Sequence, residues 1–81
     1  MTTDQKLEIE NKLGAGKVIW KRDHTIEARY GFFYRFKQTA EGKSKLVQRI
    51  FPDAQIIDYE EMWRAWPKDS YFKVLFKLPD Y

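Results

Sequence analysis

The chain has one histidine, His24, and no cysteine, which leaves few ways to assemble a catalytic or metal-binding centre. A Ser/His/Asp relay would have to use His24. Its neighbours Arg22, Asp23 and Thr25 describe a solvated turn, with no serine near it in sequence. One imidazole without thiolates is not a transition-metal set, so no metal ligand is assigned. Glu60 and Glu61 are adjacent and point to opposite faces of a strand, so they cannot act as a catalytic pair. Asp58 and Glu60 share a face, where an acidic strand edge is the simpler reading. Gly42-Lys43-Ser44 has the closing residues of a phosphate-binding loop, but Lys37 stands where the loop's first glycine belongs. The segment reads instead as a helix entry capped by Ser44 or Thr39, able at most to hold an isolated anion. These residues predict a protein that is not an enzyme and uses no cofactor.

The chemistry in better supply is charge beside aromatic surface. From Arg29 to Lys37 the chain reads Arg-Tyr-Gly-Phe-Phe-Tyr-Arg-Phe-Lys. As a strand, this run places Tyr30, Phe32, Tyr34 and Phe36 on one side and Arg29, Gly31, Phe33, Arg35 and Lys37 on the other. The first set suits a core wall and the second a cationic surface. Between Gly14 and Phe51 nine basic residues face three acidic ones, a local excess of six positive charges on a chain of net charge +3. Asp53, Asp58, Glu60 and Glu61 then reverse the sign, so one end of the molecule should be distinctly acidic.

The elements that must position these residues follow from pattern. Asp4 to Leu13 reads as a short helix, with Asp4 as its cap and Gly14 as its terminator. Lys17 to Lys21 is rich in strand formers, and Arg22-Asp23-His24-Thr25 makes a turn. Val18 to Phe36 is then a hairpin with an aromatic inner face. Lys43 to Phe51 is a second helix, with Leu46, Val47, Ile50 and Phe51 on one stripe, Lys45, Gln48 and Arg49 opposite, and Pro52 as a stop. The last third reads as another hairpin, Gln55 to Trp66 with Tyr71 to Leu78, turning through Pro67-Lys68-Asp69-Ser70. Its register sets Trp66 against Tyr71, Ala65 against Phe72, Trp63 against Val74, Tyr59 against Leu78 and Glu60 against Lys77. A helix from Asp58 to Trp66, opened by a capping box and stopped by Pro67, is the competing reading. The hairpin is preferred because Phe72, Val74, Phe76 and Leu78 need a strand beside them.

The expected fold is therefore α+β: a four-stranded antiparallel sheet in ββαββ order with a short N-terminal helix, one helix packed on one sheet face. Eighty-one residues form one domain, 1–81, because two cores would each be too small to stand without metal or disulfide help. An aromatic content of 17% makes such a core credible, since each fully buried Phe contributes roughly 1.5–3 kcal/mol. The absence of cysteine, of a charged leader with an apolar run, and of a membrane-length apolar stretch points to a cytoplasmic, unexported protein without a membrane partner.

If one sheet face is left open, it gathers Lys17, Lys21, Arg29, Arg35, Lys37, Lys73 and Lys77, with Phe33 and Tyr71 among them. Nucleic acid is the partner such a surface suits, its phosphates meeting the bases and its nucleobases the rings. The aromatic run Tyr30 to Tyr34 resembles the signature strand of RNA-recognition motifs only in its rings. Its third and fifth positions differ and it precedes the main helix, while a double-stranded-RNA domain needs another helix placement, so no family is assigned. The other expectation is a protein partner. Trp63, Arg64, Trp66 and Tyr71 are the residue types that dominate interface hot spots, as in a small inhibitor or an accessory subunit of the kind viruses encode. Exposed lysines also keep a sheet soluble without binding anything.

Overall fold

The computed structural model describes residues 2–31, 39–63 and 69–78. Helix α1 spans Thr3–Leu13 and is held at both ends by its own sequence. Thr2 Oγ1 accepts from the Gln5 amide at 3.2 Å while Gln5 Oε1 accepts from the Thr2 amide at 2.9 Å, closing a capping box. The cap is thus Thr2, with Asp4 inside the first turn, where its charge complements the helix dipole. Gly14 ends the helix at φ 60°, a left-handed conformation that costs glycine little.

Strands β1 (Lys17–Trp20) and β2 (Thr25–Gly31) form the first hairpin. Asp23 and His24 both have positive φ, at 57° and 61°, and the Thr25 amide donates to the Arg22 carbonyl at 3.1 Å. Two successive positive-φ residues give the turn a twist that matches the strands, as in a type I′ turn. The second strand begins four residues before the Arg29 start read from sequence. Its inner wall is Ile26, Ala28 and Tyr30, all buried. The expected core positions Phe32, Tyr34 and Phe36 lie outside the described residues.

Helix α2 covers Ala40–Ile50, opening earlier than expected because Thr39, not Ser44, is its cap: Thr39 Oγ1 accepts from the Gly42 amide at 2.9 Å. Ser44 instead sits buried within the helix and bonds back to the Glu41 carbonyl. Val47 is fully buried, Leu46 and Ile50 partly, and Lys45, Gln48 and Arg49 face solvent, as the stripe predicts.

Strands β3 (Gln55–Met62) and β4 (Tyr71–Lys77) complete an antiparallel sheet of order β1-β2-β4-β3. The strand reading of 58–62 prevails over the helical one, since β4 needs a neighbour on each side for Phe72, Val74 and Phe76. The register differs from the expected one: Met62 faces Tyr71, Tyr59 faces Val74 and Glu60 faces Lys73. The difference is four residues, an even number, so from Asp58 to Met62 each side chain keeps the sheet face the alternation assigned to it. Alternation alone cannot separate two such registers. A bulge between Ile56 and Asp58 adjusts the far end.

Helix packing also departs from expectation, because both helices cover the sheet. Ile9 and Leu13 of α1 join Val47, Phe51, Ile26, Phe72, Val74 and Phe76 in one buried cluster. The Tyr30 hydroxyl, itself buried, donates to the Leu13 carbonyl at 2.9 Å and so satisfies a helix-end acceptor. Burial pushes the Tyr30 phenol up to about 12, because its charged form would lose water. Trp20 Nε1 donates to Glu10 Oε1 at 2.8 Å, tying β1 to the same helix. Among the described residues no helix is long and apolar enough to cross a membrane.

Candidate functional site

With both helices on one face, the alternate residues of all four strands look the other way. The ladder sets them in rows. Lys17, Arg29, Lys73 and Glu60 lie side by side across β1, β2, β4 and β3; Ile19, Glu27, Leu75 and Asp58 form the next row; Thr25, Lys77 and Gln55 the row beyond. At the opposite end Gly31 faces Tyr71, which faces Met62. Five of the nine candidate residues, Lys17, Arg29, Tyr71, Lys73 and Lys77, therefore share this open face. Lys21 reaches it from just past β1, where its ammonium lies 3.6 Å from Glu27. Phe33, Arg35 and Lys37 lie outside the described residues.

The face is not uniformly basic. Glu27 sits at its centre with only 5% of its surface exposed, between Ile19 and Leu75. A buried carboxylate requires compensation, and two cations supply it: Arg29 Nε donates at 2.6 Å and Lys21 approaches from the other side. Arg29 is held a second way, its guanidinium lying over the Tyr71 ring at 4.7 Å from the centroid. Lys73 pairs with Glu60 at 3.1 Å, and that hydrogen bond holds its ammonium above the usual lysine range. Among the described residues no carboxylate lies within ion-pair distance of Lys17 or Lys77.

The sequence reading missed Glu27 as a local neutraliser and set Glu60 against Lys77 instead of Lys73. Glu27 could have been found, since positions i and i+2 of a strand share a face and this places it beside Arg29. The Glu60–Lys73 pair depended on the register. Also missed was an open cavity of about 310 Å³ at the Tyr71 end of the face, lined by Gly16, Lys17, Arg29, Gly31, Asp69, Ser70 and Tyr71. Gly31 forms part of its floor.

The β3 margin has the opposite character. Asp58, Glu60 and Glu61 follow one another along it, with Ile57 and Tyr59 exposed, and Trp63 just beyond is 70% exposed. Of the residues considered for a protein contact, Trp63 directly follows Met62, the residue paired with Tyr71, and Arg64 and Trp66 lie outside the described residues. The start of α2, where an isolated anion was considered, opens on a groove lined by Thr39, Ala40, Tyr59 and three carboxylates, Glu41, Glu60 and Glu61. Those charges oppose an anion there.

The open face therefore offers charge, the cation–π pair of Arg29 and Tyr71 and a cavity, a combination suited to holding a planar or anionic ligand. Comparison of the chain with protein-family models, with curated proteins and with solved structures gives no match in any of the three.

Proposed function

We propose that this protein is a noncatalytic binding module that contacts nucleic acid through the open sheet face. The observation that carries the reading is the row Lys17, Arg29 and Lys73 across three adjacent strands, beside Tyr71 on the face away from α1 and α2. Lys77 and Lys21 extend it. Among the described residues no carboxylate lies within ion-pair distance of Lys17 or Lys77, and they are the residues a polyanion would meet first. Arg29 and Tyr71 supply the stacking surface.

The test is binding of labelled single- and double-stranded oligonucleotides at low salt, followed by fluorescence anisotropy, for the wild type and for Lys17→Glu/Lys77→Glu. Both lysines are at the surface of a sheet whose stability lies on its other face, so the variant should fold. Its affinity should fall by at least about tenfold, and the salt dependence of wild-type binding should be steep. No binding by the wild type, or equal binding by the variant, would sink the proposal.

A second reading has its own observation. Ile57, Tyr59 and Trp63 are exposed along an acidic sheet edge, and an exposed edge strand with an adjacent tryptophan suits a protein partner. Under that reading the protein is an accessory or inhibitory subunit, and Trp63→Ala abolishes partner capture while leaving the fold intact.

A further inference from the structure

Gly31 occupies a strand position that does not require glycine. Its φ is not in the left-handed range, and among the described residues nothing lies within 4 Å of where a Cβ would stand. Glycine within a strand weakens it by offering neither a packing group nor restraint on the unfolded chain. What its missing side chain does provide is space. The cavity of about 310 Å³ on the open face reaches down to Gly31, between Arg29, Lys17 and Tyr71.

The walls of that cavity differ in chemistry, and the difference indicates what fits. Arg29 is fixed by Glu27 at its Nε and by the Tyr71 ring beneath its guanidinium, yet 29% of its side chain remains exposed. A planar cation so fixed is a stacking platform for a nucleobase, extending the Tyr71–Arg29 pair by one layer. Asp69 lines the same cavity, and its carboxylate disfavours a phosphate while accepting a hydrogen bond from a base amino group. Lys17 stands across the ladder from Arg29, placed to meet the phosphate attached to that base.

Resting on the nucleic-acid reading above, we infer that this cavity receives a single unstacked nucleobase, so that the open face selects single strands over duplex. In a duplex the bases are paired and stacked within, and none can enter without being flipped out at a cost of a few kcal/mol. A duplex would meet only the lysines.

The test compares a short labelled oligodeoxycytidine with a duplex of the same length, against wild type, Gly31→Val and Tyr71→Leu, with circular dichroism and thermal melting confirming each fold. Valine is a favourable strand residue and its methyl groups fill the floor of the cavity. The wild type should prefer the single strand. Gly31→Val should weaken single-strand binding by about tenfold, the scale of one lost stacking contact, and leave duplex binding within about twofold. Tyr71→Leu should act in the same direction by loosening Arg29. If Gly31→Val binds the single strand as the wild type does, or weakens both ligands equally, the base pocket is refuted. In that case loss of binding in Lys17→Glu/Lys77→Glu would still uphold the broader reading. If the wild type binds neither ligand, both fall together.

Discussion

Along β2, Ile26, Ala28 and Tyr30 look toward the helices, while Thr25, Glu27, Arg29 and Gly31 look away, and the two sets reach their states by different means. On the covered side, apolar surface is removed from water by two helices, and the buried polar groups Tyr30 and Ser44 each donate a hydroxyl to a backbone carbonyl. On the open side neither helix covers the strand, yet Glu27 is as buried as the core. Its cover is made of its own neighbours, the stems of Lys21 and Arg29 and the side chains of Ile19 and Leu75. The comparison teaches that burial on this sheet has two sources, and that only the first should hold the fold together. The second fixes the position of a guanidinium.

The sharpest way to break this contrast is to truncate adjacent residues of β4 that point to opposite faces. Phe76 is fully buried and stacks with Phe51 at 6.4 Å, so Phe76→Ala should cost about 3–5 kcal/mol in chemical denaturation. Leu75→Ala, on the open face, should cost less than about 1.5 kcal/mol. Equal losses would show that the open face carries stability too.

Tyr30→Phe probes a buried polar contact within the covered side. It removes the donor to the Leu13 carbonyl and should cost about 1 kcal/mol at neutral pH. The pH dependence has a definite sign. Tyr30 titrates at about 12 in the fold against an ordinary value near 10, so its contribution is whole below about pH 10 and is lost as pH rises through about 12. Stability curves of the wild type and Tyr30→Phe should therefore converge over that window. Parallel curves would mean that the phenol is not desolvated.

The smallest effect concerns the charge pair at the border of the open face. Glu60→Gln should change stability by only a few tenths of a kcal/mol, since Glu60 is well exposed. It should return the Lys73 ammonium toward its ordinary range and tighten polyanion binding a few-fold at low salt, an effect that fades as salt screens the face. No change in binding would place Lys73 outside the contact surface.

Much of this architecture was legible in the residues, and the illegible parts share a cause. Gly14, the Arg22–Thr25 turn, the α2 stripe and the period-two alternation of β4 are local signals, each written within a few positions. The Thr2 cap was missed because Asp4 is an equally good cap by type, and only the Gln5 reciprocity distinguishes them. The β3–β4 register and the docking of α1 are non-local. No short pattern reports that Leu13 lies under Tyr30 or that Glu60 meets Lys73. The candidate site was legible as a list of cations on one face, and Glu27 was within reach of the same local rule, whereas the Glu60–Lys73 pair and the cavity arise from segments that are distant in the chain.

The strand order has a consequence for how the molecule is made. In β1-β2-β4-β3 the last of these four strands to be synthesised occupies an interior place, hydrogen-bonded on both sides. As the chain leaves the ribosome, β1 and β2 can close at once across their two-residue turn, but β3 emerges with no partner for either edge. It must wait, exposing Ile56 and Ile57, until β4 arrives and joins it to the waiting hairpin in one step. A nascent chain halted between β3 and β4 would therefore be the aggregation-prone species, and the acidic residues of β3 are suited to keeping it dispersed meanwhile.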